Sequence, residues 1–253
     1  MSGWLFDLGN SRLKLAPLGA DAGPGDVVAV AHDGIAFAEG WRQVLPATLD
    51  MAWICSVGPP ALCADLAAAL AARGARLQHA TTAPRLAGIT VAYSDPARLG
   101  VDRVLAMAAA HARDATPALV VGVGTALTVD LVDGSGWHRG GRIAPSPALM
   151  RAALQQRAPQ LPETGGTYAE FGTDTASALA AGCTGAALGL VERSRTQAHA
   201  LLGVTPRLWL HGGGARSLAA HLDDAGCVPA LVLEGLARWA VGEGHATQQE
   251  GPV

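Results

Sequence analysis

The 253-residue sequence has no CxxC pair: Cys55, Cys63, Cys183 and Cys227 are scattered, and none has a histidine nearby. That spacing argues against a metal cluster and predicts ordinary reduced thiols. The opening "MSGWLFDLG" lacks a basic leader and an apolar signal core. No uninterrupted apolar run reaches the roughly 18 residues of a membrane helix. A soluble, cytoplasmic protein with no membrane partner is the expectation. Surplus basic charge is also missing: 18 Lys and Arg stand against 21 Asp and Glu, a net charge of -3. Nucleic acid is therefore not an expected partner. The 32 glycines follow no collagen-like period. The chain lacks GxxxxGK[ST] and GxSxG, and neither "GPGD" nor "GGGAR" makes GxGxxG. Its eight histidines form no pattern and receive no role.

What is present suits a well-cored globular protein, with half the residues apolar and 15% charged. The length allows one large domain or two modest ones. Strands are predicted at "WLF" into Asp7, at 12–18, "DVVAVAH" (26–32), "MAWICSV" (51–57), "ITVAY" (89–93) and "RLWLH" (207–211). Helices are predicted over 61–73 with Gly74 as cap, over 101–114, after the Ser146-Pro147 start signal, over 173–203 with a break around Gly182, and over 231–244. Strands alternating with helices indicate an α/β fold.

One pattern occurs twice. "WLFDLGNSRLKLA" (4–16) is a strand, a Gly9-Asn10-Ser11 turn and a returning strand. "ALVVGVGTALTVDLVDG" (118–134) repeats it around Gly124-Thr125-Ala126, with Gly122 where the first copy has Asp7. The repeat predicts a duplicated architecture, with a first subdomain over 1–115 and a second over 116–253, the terminal helix packing back on the first.

Asp7 ends an apolar strand, where open α/β sheets present binding groups. A carboxylate there suits Mg²⁺, directly or through water. The turn after it offers backbone N–H groups and the Ser11 hydroxyl to phosphate oxygens, and Lys14 adds positive charge. Asp7 and Asn10 equally favour a plain hairpin turn. In the second hairpin Thr125 and Thr128 supply hydroxyls and Asp130 a carboxylate; a solvated strand face is the competing reading. In "GVDR" (100–103), Asp102 stands at a helix start, where it can cap the helix or accept a proton from an attacking hydroxyl. Arg103 can orient a substrate anion. The three glycines of "GGGAR" could admit a flat adenine ring or simply enter a helix.

Taken in order, these segments resemble the type III pantothenate kinases of the acetate and sugar kinase/Hsp70/actin superfamily. "DLGNSRLK" is similar to that family's DxGNSxxK, "GVDR" to GxDR, "GTALTVD" to GTAxTxD, and "GGRI" to GGxIxPG. The resemblance covers nearly the whole chain. It implies a duplicated actin-like (RNase H-like) ATPase fold, two α/β subdomains with the active site in the cleft between them. It implies transfer of the ATP γ-phosphoryl group to pantothenate, the first step of coenzyme A biosynthesis, in a homodimer. Asp7, Gly9, Asn10, Ser11, Arg12 and Lys14 would line the ATP phosphates and Mg²⁺, with Thr125 contacting ATP and Asp130 a further metal candidate. Asp102 would be the general base. Tyr93, Gly100, Val101, Asp102, Arg103 and Thr175 would hold pantothenate.

Two departures stand out. Many relatives carry a cation-binding aspartate where this chain has Gly122, which puts a K⁺ or NH₄⁺ requirement in question. "GGRIAPSP" also lacks the proline-glycine ending of its motif. Two other readings compete. One is a non-catalytic transcription-accessory or regulatory protein on the same scaffold, which loss of Asp7 or Asp102 would favour. The other is an RNase H-like nuclease using Asp7, Asp102 and Asp130 around two metals, against which the acidic balance argues.

Overall fold

The computed structural model describes residues 2–249, with side chains up to residue 242. The chain divides into two compact units, Met1–Arg113 with Ala230–Val253, and Asp114–Pro229.

The first unit is built on a five-stranded sheet in the order β3-β2-β1-β4-β5. Its strands are β1 (Gly3–Leu8), β2 (Arg12–Pro17), β3 (Val28–Ala31), β4 (Met51–Ser56) and β5 (Arg76–His79). The hairpin β1–β2–β3 is antiparallel, while β1, β4 and β5 run parallel. Successive side chains on a strand face opposite sides. Phe6, Leu8, Leu13, Leu15, Ala52 and Ile54 therefore join Leu62, Leu66 and Leu70 of α1 (Pro60–Ala71) in one core. Leu5, Asp7 and Cys55 face the other side. The "ITVAY" segment forms much less strand than predicted. Only β7 (Ile89–Thr90) pairs as a strand, with β6 (Arg85–Leu86); Val91 N adds one bond to Pro84 O at 2.9 Å, and Ala92 and Tyr93 lie outside the ribbon. Two paired residues offer too few ladder bonds to hold a longer strand alone. Helix α2 (Val101–Arg113) is buried along nearly its whole circumference, from Val104 to Ala110.

The second unit repeats the topology. Its sheet order is β10-β9-β8-β11-β12, made of β8 (Ala118–Val123), β9 (Ala126–Val132), β10 (His138–Pro145), β11 (Arg207–His211) and β12 (Ala225–Cys227). Helix α3 (Pro147–Arg157) starts as its sequence signal predicts, with Ser146 Oγ accepting from Leu149 N at 3.2 Å. Helix α4 (Thr175–Leu202) is capped by Asp174, whose carboxylate accepts from Ser177 N, and closes at left-handed Gly203. The break expected around Gly182 is absent. Gly182, Gly185 and Gly189 sit in open space inside a continuous helix, because the buried stripe Leu179, Cys183, Ala187, Val191, Ser194 and Ala198 holds it along its length. Much of that stripe packs with Leu119, Val121, Val129 and Leu210 of the sheet and with α5 (Ala215–Ala219). By length and composition α4 is the one helix among the described residues apolar enough to cross a membrane. Helix α6 (Leu231–Gln249) lies on α2 within the first unit. Gly235 allows this approach, since a Cβ there would run into the Leu105 carbonyl.

Candidate active site

Asp7 is the last charged group of β1 before the hairpin turn, and it is 7% exposed. It pairs in register with Lys14 across β2 and with Cys55 across β4. Lys14 is the only lysine in the chain. Burial pushes the Asp7 carboxyl up to about 7; the Lys14 charge pulls it down, and Asp102 pushes it further up. The Cys55 thiol is raised well above its ordinary value, first by burial and then by Asp7 and Asp102. The fold thus brings two carboxylates, one ammonium and a buried thiol to one face of the first sheet. Asp102 arrives there from the first turn of α2, where the helix dipole favours an anion. Gly100 makes room for it, because a Cβ would stand 2.6 Å from Asp102 Oδ1. Val101 and Arg103 are buried beside it, and half-buried Tyr93 follows β7.

The turn beyond Asp7 is closed by Gly9 N donating to Arg12 O at 3.0 Å, leaving Asn10, Ser11 and Arg12 exposed. Such a turn presents backbone amides and a hydroxyl to an anion. The cluster fits a divalent cation on chemical grounds. Its donors are hard oxygens, and the charge of Asp102 disfavours ionisation of Asp7 until a cation offsets it. Among the described residues no group of three metal-ligating side chains assembles. A hard cation held by one carboxylate would take its remaining ligands from water and phosphate, the habit of Mg²⁺.

In the second unit the hairpin tip Gly124-Thr125 is exposed, and Gly124 N closes it on Ala126 O at 3.0 Å. Two glycines of "GGGAR", Gly212 and Gly214, pack closely on Val123, while Gly213 stands in open space. Gly214 N donates to Val123 O at 3.0 Å, and left-handed Gly212 leaves no space for a Cβ beside that carbonyl. The loop is thereby fixed against the end of β8. Asp130 is neither on a solvated face nor at the hairpin tip. It pairs with Val120 in mid-strand and is 1% exposed, and its Oδ1 lies 3.1 Å from Nε2 of fully buried His138. Thr175 is the exposed first residue of α4, just after its Asp174 cap.

Three histidines that carried no sequence signal occupy defined positions: His32 against the first hairpin tip, His138 on Asp130, and His211 beside Gly122. His211 meets Gly122 in strand register, whereas His32 and His138 reach their partners by side-chain contact once the neighbouring strands have paired.

Two sheets of identical strand order, each with a hairpin tip beside its parallel centre, define an actin-like ATPase and sugar-kinase fold. Solved structures share it. A "conserved putative Baf family transcriptional activator" from Campylobacter jejuni aligns with a TM-score of 0.64 at 19% identity, over 96% of this chain and 99% of its own. The activator of 2-hydroxyisocaproyl-CoA dehydratase from Clostridium difficile, with bound ADPNP, aligns at 0.50 and 12% identity, over 100% and 99%. These likenesses speak to the fold alone. Residues 4–197 match the family described as type III pantothenate kinase. A type III pantothenate kinase of Stenotrophomonas maltophilia (strain R551-3) is 53% identical over 244 residues, 95% of this chain and 98% of the relative. The chain belongs to the type III pantothenate kinase family.

Proposed function

We propose that this protein transfers the γ-phosphoryl group of ATP to the primary hydroxyl of pantothenate, the first step of coenzyme A biosynthesis. The observation that carries the residue assignment is the meeting of Asp7, Lys14 and Asp102 on one face of the first sheet. Phosphoryl transfer asks for positioning and charge neutralisation, with a carboxylate to take the hydroxyl proton.

In this reading Gly9, Asn10, Ser11 and Arg12 line the ATP phosphates, Lys14 offsets their charge, and Thr125 of the second hairpin also contacts ATP. Asp7 holds Mg²⁺ directly or through water; the bound ion would neutralise phosphate charge. Tyr93, Gly100, Val101, Arg103 and Thr175 hold pantothenate, with Arg103 suited to its carboxylate. Asp102 accepts the hydroxyl proton as that oxygen bonds to the γ-phosphorus. The bond from phosphorus to the β–γ bridging oxygen breaks, and ADP leaves. Asp130 is better explained as the buried partner of His138 than as a metal ligand. A cytoplasmic homodimer completes the proposal.

A coupled ADP-release assay tests it. ADP should appear only with both ATP and pantothenate, and Asp102→Asn should lower turnover by roughly 10²–10⁴-fold while the melting temperature holds. Phosphorylation of other alcohols but never pantothenate would refute the substrate. An unimpaired Asp102→Asn enzyme would refute the base.

A further inference from the structure

His32 follows directly on β3, yet its side chain belongs to the first hairpin. Its backbone N–H donates to Ser11 O at 3.1 Å, extending the β2–β3 ladder by one rung. Its Nε2 lies 2.9 Å from Gly9 O, and its Nδ1 lies 3.2 Å from Gly34 N. A backbone N–H can only donate, so Nδ1 is the acceptor there. The ring proton therefore sits on Nε2, which donates to Gly9 O. The loop after His32 holds the ring still. Asp33 Oδ1 accepts from Ile35 N at 2.8 Å and from Ala36 N at 2.7 Å, and Phe37 meets the imidazole edge-on at 5.9 Å.

The Gly9 carbonyl also lies close to Gly58, where a Cβ would approach it to 2.6 Å. Its direction is thus set by the hydrogen bond to His32 and the close approach of Gly58. In a trans peptide the carbonyl and the next N–H point opposite ways, and the chain has no cis bonds among the described residues. Holding Gly9 O toward His32 turns Asn10 N–H the other way, outward at the exposed tip. A Gly-Asn-Ser turn lacking this hold would be free to rotate that peptide, since glycine restrains it little.

We propose that His32 is the positioning residue of the first hairpin, fixing the Gly9–Asn10 peptide so that its amide is presented to a nucleotide phosphate. The inference rests on the ATP-binding reading above. It is tested by calorimetric binding of Mg²⁺-ADP and by steady-state kinetics on His32→Ala, His32→Phe and His32→Gln. Phe keeps the ring without its donor, whereas the Gln amide can reach Gly9 O. Ala and Phe should weaken nucleotide binding and raise KM for ATP by about five- to tenfold, with KM for pantothenate unchanged. Gln should recover most of that loss. Equal behaviour of Gln and Ala, or parallel rises in both KM values, overturns the role of His32. A wild-type protein that binds no Mg²⁺-nucleotide overturns the ATP-binding reading itself.

Discussion

Gly122 and His211 pair across β8 and β11 in the register that pairs Asp7 with Cys55 across β1 and β4. The duplication sets a missing side chain and an imidazole where the first unit carries a carboxylate and a thiol. A Cβ on Gly122 would stand 2.6 Å from Thr128 Oγ1 and 3.0 Å from His211 Nε2. The space a carboxylate would need is already filled. We expect turnover to be the same in K⁺, NH₄⁺ and Na⁺ salts at matched ionic strength. Gly122→Asp should lower the melting temperature without creating K⁺ stimulation. A wild-type enzyme strongly stimulated by K⁺ would contradict this account.

The Asp7 carboxyl, held near 7 by burial, makes a second expectation. The native state keeps its proton above pH 3.8, where an ordinary aspartate ionises. Between about pH 4 and pH 7 the native state therefore binds more protons than the unfolded chain at this site, and its stability contribution falls as pH rises. Above about 7 the contribution levels off. Asp7→Asn should remove this slope from a plot of melting temperature against pH. Mg²⁺-nucleotide affinity, which favours ionised Asp7, should rise through the same window in wild type; a flat profile would sink the assignment.

Lys14 pulls the Asp7 carboxyl down, so Lys14→Met should push it up. The acid limb of the kcat/KM profile should move to higher pH, and KM for ATP should rise. Because Lys14 is the only lysine, an amine-directed reagent offers an independent check. Modification at Lys14, located by peptide mass, should abolish activity, and Mg²⁺-ATP should protect it. Full activity after stoichiometric modification would exclude Lys14 from the site.

Gly235→Ala should destabilise the first unit, because the added methyl meets the Leu105 carbonyl where α6 crosses α2. Overpacking of this kind costs about 1–3 kcal/mol. Urea unfolding should show a lower midpoint, while Gly182→Ala, in open space on α4, should be neutral or stabilising. Equal midpoints for the two variants would show that α6 does not pack as described.

Much of the architecture was legible because its signals are local. The repeated strand-turn-strand pattern marked both hairpins, Ser146-Pro147 marked the start of α3, and the length of "VDRVLAMAAAHAR" matched α2. The misreadings lie where distant contacts outweigh local preference. Gly182 suggested a break that the buried stripe of α4 overrides, and "ITVAY" lacked the neighbours a full strand requires.

By itself the sequence determined two strand-turn-strand units, a carboxylate before the first turn, and Asp102 at a helix start, since each depends on residues only a few positions apart. Only the tertiary structure decided that Asp7 is buried to the point of holding a proton near neutrality, that Cys55 stands beside it, that His32 grips Gly9, and that Asp130 belongs to His138. His211 fills the space at Gly122 by the same route. These facts come from strand register and burial, which join Asp7 to Cys55, Gly9 to His32 and Gly122 to His211 across long stretches of chain, and Asp130 to His138 across adjacent strands, none of them marked by a local motif.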